Sequence, residues 1–338
     1  MDLMTTGEQD EIAGTVASFL ANRLPVASGG TTQAVSPFEI DPGLWQECAG
    51  LGWLALGLSE AAGGVGYGLA EEIMLFRELG RGVAPGPFLP GVLGAHLAAA
   101  AGDFGLASEI ASGETRVALG SPIGLASVGD TVTAELSVVH TDGATLVLVC
   151  DDTASALVSA GECDIEPIDP VDGYITTGRT RVDAVASVAW ADNAKAPIFE
   201  HGLVLAAASA AGVAEAAVAV AVGYAGLRVQ FGKPIGVNQA IKHWCADMAV
   251  RADGAFAQVC YAAVAVRDRL PGAAVEAAIA KYFADEAARL NSEGAVQIHG
   301  AMGFTSQATP YRFVYRAHLL ARCLASRAGL LDRVIGER

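Results

Sequence analysis

The chain has 338 residues, of which 52% are hydrophobic, 17% charged and only 7% aromatic, with 40 glycines. That length suits two or three domains, and the composition excludes a disordered tail, a collagen-like repeat and a small disulfide scaffold. Lys and Arg number 21 against 37 Asp and Glu, a net charge of -16. Such a surface repels phosphate backbones and anionic lipid, so neither nucleic acid nor membrane is an expected partner.

A mean hydropathy of +0.41 nevertheless raises the question of a membrane span. The most apolar stretch, Gly202 to Val222, has the length to cross a bilayer. It is mostly Ala, Gly and Val, carries Glu215 near its middle, and lacks basic flanks and an aromatic belt. An interior helix of a large soluble bundle is the better reading. Met1 to Gln9 has no basic region followed by an apolar core, so no signal peptide is expected. The six cysteines (Cys48, Cys150, Cys163, Cys245, Cys260 and Cys323) show no paired spacing. They read as buried thiols of a cytoplasmic protein, and no metal is expected.

In chain order, residues 1–113 read as helical. Thr6 and Gln9 have the spacing of a capping box, and Ile12, Val16, Phe19 and Leu20 recur on one face before Pro25. A loop rich in Ser, Gly and Thr follows from Ser28 to Ser36. Helical periodicity resumes at Leu44, Trp45 and Leu51, and again at Ile73, Phe76 and Leu79, closed by Gly80. Pro85 to Pro90 forms a rigid turn before a helix of small residues. Residues 114–195 change period: Val132, Ala134, Leu136 and Val138 alternate with polar neighbours, and Asp142-Gly143 is a hairpin signal. This is a small β domain. Residues 196–338 return to long helices, of number and length to suit a four-helix bundle. In the third of these, Val275, Ile279, Phe283 and Leu290 share one face, with Lys281, Asp285 and Arg289 on the other. The fold class is therefore α+β, mostly α.

Motifs that carry chemistry are few. Gly64-x-Gly66-x-Gly68 follows no strand, so a flexible loop is the better reading than a dinucleotide fingerprint. The six histidines show no ligand spacing. Two segments stand out: Arg228-Val-Gln-Phe-Gly-Lys-Pro-Ile-Gly236 with Asn238 to Lys242, and Gln297-Ile-His-Gly-Ala-Met-Gly-Phe-Thr305. An Arg at a helix end can give a diphosphate two parallel hydrogen bonds, and Gln297 with the open backbone near Gly300 can add neutral donors. The same residues also suit two helix-end turns in which Arg228 pairs with a carboxylate. Both readings are open at this point.

In order and separation, these segments closely resemble the RxxFGxxI and QxxGGxGF stretches of the acyl-CoA dehydrogenase superfamily. Leu44 to Leu58, Gly63 to Leu69, Glu78-Leu-Gly-Arg81 and Ala84-Pro-Gly-Pro87 resemble its first domain. The resemblance covers nearly the whole chain. It implies an N-terminal helical domain, a central β domain and a C-terminal four-helix bundle, with FAD held between subunits. By position, Arg228, Gln230 and Phe231 are implied to contact the diphosphate and flavin side of a neighbour's FAD. Gln297, Gly300 and Ala301 are implied at its adenosine-diphosphate end, with Ala301 in place of the family's second Gly.

Three departures point one way. The family's TEPxxGSD and W-[IV]-T-N-G stretches have no counterpart, and Val117 to Ala126 stands there instead. The family's late catalytic Glu position falls near Leu324, and the alternative one falls at Gly202. Dehydrogenation of a thioester needs a carboxylate to remove the α proton while hydride leaves Cβ. Glu200 and His201 lie close to the alternative position but out of register, since residues two apart face different sides of a helix. The expectation is a subunit of an α2β2 acyl-CoA dehydrogenase that carries no catalytic residue. It resembles the shortened subunits of bacterial enzymes acting on steroid CoA thioesters, with two complete FAD sites per tetramer. A homologous partner is expected to supply the base, and an electron-transfer flavoprotein to reoxidise the cofactor. Two alternatives remain: a self-sufficient enzyme using Glu200, and a flavin-free scaffold.

Overall fold

The computed structural model describes residues 5–26, 39–305 and 307–336. The loop read from Ser28 to Ser36 lies outside them. Five helices come first: α1 (Gly7–Arg23), α2 (Pro42–Gly50), α3 (Leu69–Arg81), α4 (Phe88–Ala101) and α5 (Phe104–Ala111). The Thr6 capping box forms as its spacing predicts: Gln9 N–H donates to Thr6 Oγ1 at 3.2 Å, and Thr6 N–H to Gln9 Oε1 at 3.1 Å. Two boundaries differ from the sequence reading. Pro85 to Pro90 is only half a turn, because α4 starts at Phe88 and takes Pro90 into its first turn, where no N–H is needed. Gly80 does not close α3, which runs on to Arg81.

Gly80 is there for a helix crossing. A Cβ on it would lie 2.0 Å from Ser209 O, and a Cβ on Gly212 would lie 2.0 Å from Arg77 O. The two glycines therefore let α3 touch the helix carrying Ser209 and Gly212 backbone to backbone. That helix, α6 (Ile198–Leu227), is the axis of the molecule. It is long and apolar enough to cross a bilayer, yet 78% of its most apolar window is buried by the rest of the protein. Glu215, the charge in its middle, is held by Arg77 Nε at 2.9 Å and Arg81 at 3.7 Å.

Between the helical parts lie β1 (Val117–Pro122), β2 (Ser127–Val128), β3 (Thr131–Val139), β4 (Leu146–Cys150), β5 (Ala154–Ser159), β6 (Glu166–Ile168) and β7 (Thr177–Asp192). The sheet order is β2-β3-β1-β4-β5-β7-β6, and an added β3–β7 pairing closes it on itself. Val132, Ala134, Leu136 and Val138 point into this small barrel with Ala118, Val147 and Val149. Val117, Leu119, Leu146 and Leu148 point the other way, into the helical core. β1 and β4 are thus buried on both faces, which is why they read as unbroken apolar runs. Asp142-Gly143 is a turn, with Gly143 at φ +64°, but not a hairpin: β3 and β4 lie on opposite sides of β1.

After α6 come the paired short strands β8 (Val229–Gln230) and β9 (Lys233–Pro234), then α7 (Gln239–Arg267), α8 (Ala273–His299), α9 (Pro310–Leu320) and α10 (Arg327–Gly336). The bundle has three long helices, and two short ones take the fourth place. Its core overturns the expected faces of α8. Ala277, Ala280, Ala284, Ala288 and Ala295 are buried, while Phe283 is 57% exposed and Val275, Ile279 and Leu290 are only partly covered. Lys281 is 0% exposed, paired with Asp285 and donating to Leu320 O at 2.9 Å. Alanine faces let α6, α7 and α8 approach closely, so the larger apolar side chains are left on the outside.

A buried ion pair locks the three parts together. Arg316 Nε on α9 donates to Asp172 Oδ2 at 2.7 Å, and its Nη1 to Ala84 O at 2.8 Å.

Candidate functional site

The far end of α6 is polar and open. Its last N–H bond runs from Arg228 to Tyr224 O at 2.8 Å, and the chain then turns through Phe231 (φ +52°) and Gly232 (φ +80°) between β8 and β9. Positive φ at both central residues is the type I′ hairpin, which suits glycine and strains a bulky aromatic. Phe231 nonetheless sits there with its ring fully exposed. Arg228 and Gln230 are exposed beside it. Among the described residues no carboxylate reaches Arg228, so the structural reading, in which it pairs with an acid, fails.

The end of α8 lies at the same end of the bundle. Tyr224 of α6 stacks on His299 of α8, ring centroids 4.0 Å apart and planes within 23°. Gly300 then takes φ +62°, ψ -142°, a conformation that a Cβ disfavours. Gly303 packs against α8 so closely that a Cβ would lie 2.7 Å from Val296 O. Gln297, Gly300 and Ala301 are all exposed. Two segments some 60 residues apart therefore present an unpaired guanidinium, an amide and open backbone at one end of the bundle. This donor set fits a diphosphate-bearing ligand.

The near end of α6 is the reverse. An ideal Cβ on Gly202 would lie 2.8 Å from Leu324 Cδ1 and 2.8 Å from Leu93 Cδ1. The two base positions, counted separately along the sequence, thus converge on one point, and leucine fills it. Leu324 is buried at φ +71°, its N–H donating to Ser121 Oγ at 3.0 Å on β1. The nearby acid does not point there. Glu200 borders a separate groove of about 330 Å³ with Asn193, Pro197, Val266, Arg269 and Leu270. One of its carboxylate oxygens is buried without a partner, and burial pushes its pKa up. His201 turns toward α3 and bonds Glu72.

That bond corrects the reading of the histidines as unclustered. Glu72 on α3 meets His96 Nε2 of α4 at 2.8 Å and His201 Nε2 of α6 at 2.5 Å. The partners are 24 and 129 residues from Glu72, so no local spacing could reveal the group. Five of the six cysteines are buried as read, and Cys245 is partly exposed. Burial pushes Cys48 and Cys150 up to about 12 and Cys260 and Cys323 up to about 11, which keeps these thiols protonated.

Comparison with known proteins agrees over the whole length. Residues 6–106 match the acyl-CoA dehydrogenase N-terminal domain and residues 193–329 the C-terminal domain. The chain is 30% identical over 333 residues to acyl-CoA dehydrogenase IpdE2 of Mycobacterium tuberculosis, covering 98% of this chain and 97% of that one. Among solved structures, a variant of the Tcur3481–Tcur3483 steroid ACAD superposes with a TM-score of 0.83 at 25% identity, covering 98% of this chain and 97% of that one. A chain of the ChsE4–ChsE5 complex from Mycobacterium tuberculosis reaches 0.84 at 22% identity, covering 100% and 98%, a likeness of fold.

Proposed function

This chain belongs to the acyl-CoA dehydrogenase family of flavin-dependent oxidoreductases, and on that premise we propose that it is the base-free subunit of a hetero-oligomeric enzyme. One observation carries the proposal. The point where Gly202 and Leu324 meet is packed with leucine, while the donors at the opposite end of the same helix are open and unpaired. A chain that kept one half of a shared site and gave up the other has this shape.

In this reading Arg228, Gln230 and Phe231 hold the diphosphate and flavin side of a partner's FAD, and Gln297, Gly300 and Ala301 its adenosine end. Held there, FAD would supply the acceptor for the hydride that leaves Cβ of the thioester. Arg228 would hold the diphosphate, its guanidinium offering two parallel donors, and Phe231 would offer an apolar face to the ring system. Ala301 adds one methyl where the backbone approaches the cofactor. The α proton goes to a carboxylate of the partner, because Glu200 faces another groove and Gly202 has no side chain. The outer surfaces of α7 and α8 support the assembly. They expose Trp244, Val250 and Phe283, and enclose between Val250, Gly254, Phe283 and Ala287 a groove of about 390 Å³. Apolar patches of this kind mark subunit interfaces. The substrate is an acyl-CoA; the likeness to a steroid enzyme favours a steroid-derived acyl group. Reoxidation falls to an electron-transfer flavoprotein.

The test is flavin content and native mass of the chain alone and co-expressed with a homologous base-bearing chain. The expected result is a colourless single chain and a yellow complex with one FAD per two chains. Arg228→Ala in the complex should release the flavin. One FAD per chain from the single protein, with acyl-CoA oxidation abolished by Glu200→Gln, sinks the proposal. Unchanged flavin in Arg228→Ala makes the chain a scaffold.

A further inference from the structure

We propose that Glu72, His96 and His201 form a binding site for one divalent transition-metal ion, zinc by preference, that ties the N-terminal helices to the bundle. The three donor atoms come from α3, α4 and α6 and all lie within 4.8 Å of one another. Two imidazoles and one carboxylate are the donor set of many zinc sites that keep a fourth position for water. A metal bound tetrahedrally at about 2.0–2.2 Å from each donor sets the donors about 3.3–3.6 Å apart. The present contacts, 2.8 Å from His96 to Oε1 and 2.5 Å from His201 to Oε2, lie below that spacing, and the three donor atoms lie within 4.8 Å of one another, so an ion would draw the side chains apart around it.

The surroundings fit a built site. Glu72 is 1% exposed, and the two imidazoles are 18% and 14% exposed, so a water can reach the ion from the histidine side. The carboxylate is seated on Gly57: a Cβ there would lie 2.4 Å from Glu72 Oε1. On binding, each imidazole shifts its proton from Nε2 to Nδ1, and the freed lone pair goes to the ion. Among the described residues neither Nδ1 has a protein partner, so water takes that proton's hydrogen bond.

A hydrogen-bonded triad alone is a poor reason to place these groups here. Desolvating a carboxylate and two imidazoles costs as much as or more than their contacts return, and hydrocarbon packing would serve as well. The location is also informative. His201 adjoins Gly202, and His96 lies one helical turn past Leu93. The ion therefore clamps the end of α6 at which leucine fills the base position. It takes no part in dehydrogenation, and its existence does not depend on the subunit assembly proposed above.

Untagged full-length protein, stripped with chelator and titrated with ZnCl2, should take up one ion per chain with a rise in melting temperature. Co2+ should give the visible d–d bands of a four-coordinate nitrogen and oxygen site, displaced by zinc. His96→Gln and His201→Gln should each weaken zinc binding by at least about 100-fold, since even outer contacts to a metal site are worth 10–100-fold. Retained circular dichroism in the variants excludes simple unfolding. Should a variant fail to fold, the Co2+ spectrum of the unaltered chain decides. Folded protein that binds no zinc and shows no Co2+ bands overturns the proposal, as does zinc uptake that survives both substitutions.

Discussion

Helix α6 has one closed end and one open end, and the contrast separates what holds the protein together from what it offers to others. Near Gly202 three parts of the chain meet. Leu93 comes from the N-terminal helices, Ser121 from the barrel and Leu324 from the segment after α9, and Ser121 Oγ accepts the Leu324 backbone N–H. Near Arg228 the helix emerges from the core, and Arg228, Gln230, Phe231 and Gln297 are exposed. Burial selects for fit at one end. At the other, Phe231 is fully exposed at a positive φ, and strain of this kind gathers at binding sites.

The contrast can be broken from either end. Gly202→Glu should have the largest effect, about 3–5 kcal/mol lost, because it forces a side chain and an unpaired charge into packed leucine. Denaturant unfolding measures the loss, and the variant should gain no acyl-CoA dehydrogenase activity. Gain of activity would mean that the base position is open after all. Leu324→Ala follows, at about 2–4 kcal/mol for the cavity it leaves, read as a lower unfolding midpoint with unchanged slope.

Glu200→Gln sharpens the picture by its pH dependence. Burial raises the folded pKa of Glu200 above its ordinary value of 4.5. The native state then binds the proton more tightly than the unfolded chain, so stability falls as pH rises from there through the folded pKa. The Gln variant lacks that fall, and a melting temperature that drops across this range by the same amount in both proteins counts against it. Arg228→Ala should have the smallest effect on stability, within about 0.5 kcal/mol, as for exposed residues without partners. A larger loss in the isolated chain would show that Arg228 serves the fold.

Much of the fold was legible in the order of residues. The switch from helical period to alternation and back gave the succession of helices, strands and bundle. The Thr6 capping box and the alternating β3 depend only on neighbours a few residues apart, and both formed as read. The errors share a different cause. Gly80 looked like a helix end because its partner, Ser209, is 129 residues away. The large apolar side chains of α8 read as its inward face because size usually marks burial, whereas the interior is built on alanine. Asp142-Gly143 made the turn its residues specify, but strand order decided that no hairpin followed.

The site divides in the same way. The residue types near Arg228 and Gln297 could be recognised in sequence because each motif is continuous. That they lie at one end of the bundle follows only from the packing of α6 on α8, seen in the stacking of Tyr224 on His299. The lack of an acid at Gly202 and Leu324 was visible residue by residue, but that the two positions are one place was not. Nor could the sequence show Glu72, His96 and His201 together, since each sits on its own helix. Sequence by itself determined the elements and the chemistry each could carry, because periodicity, capping and side-chain type are local properties. Tertiary structure alone decided which of those groups share a site, because bringing distant residues together depends on how helices cross, and here that depended on glycines at the crossing.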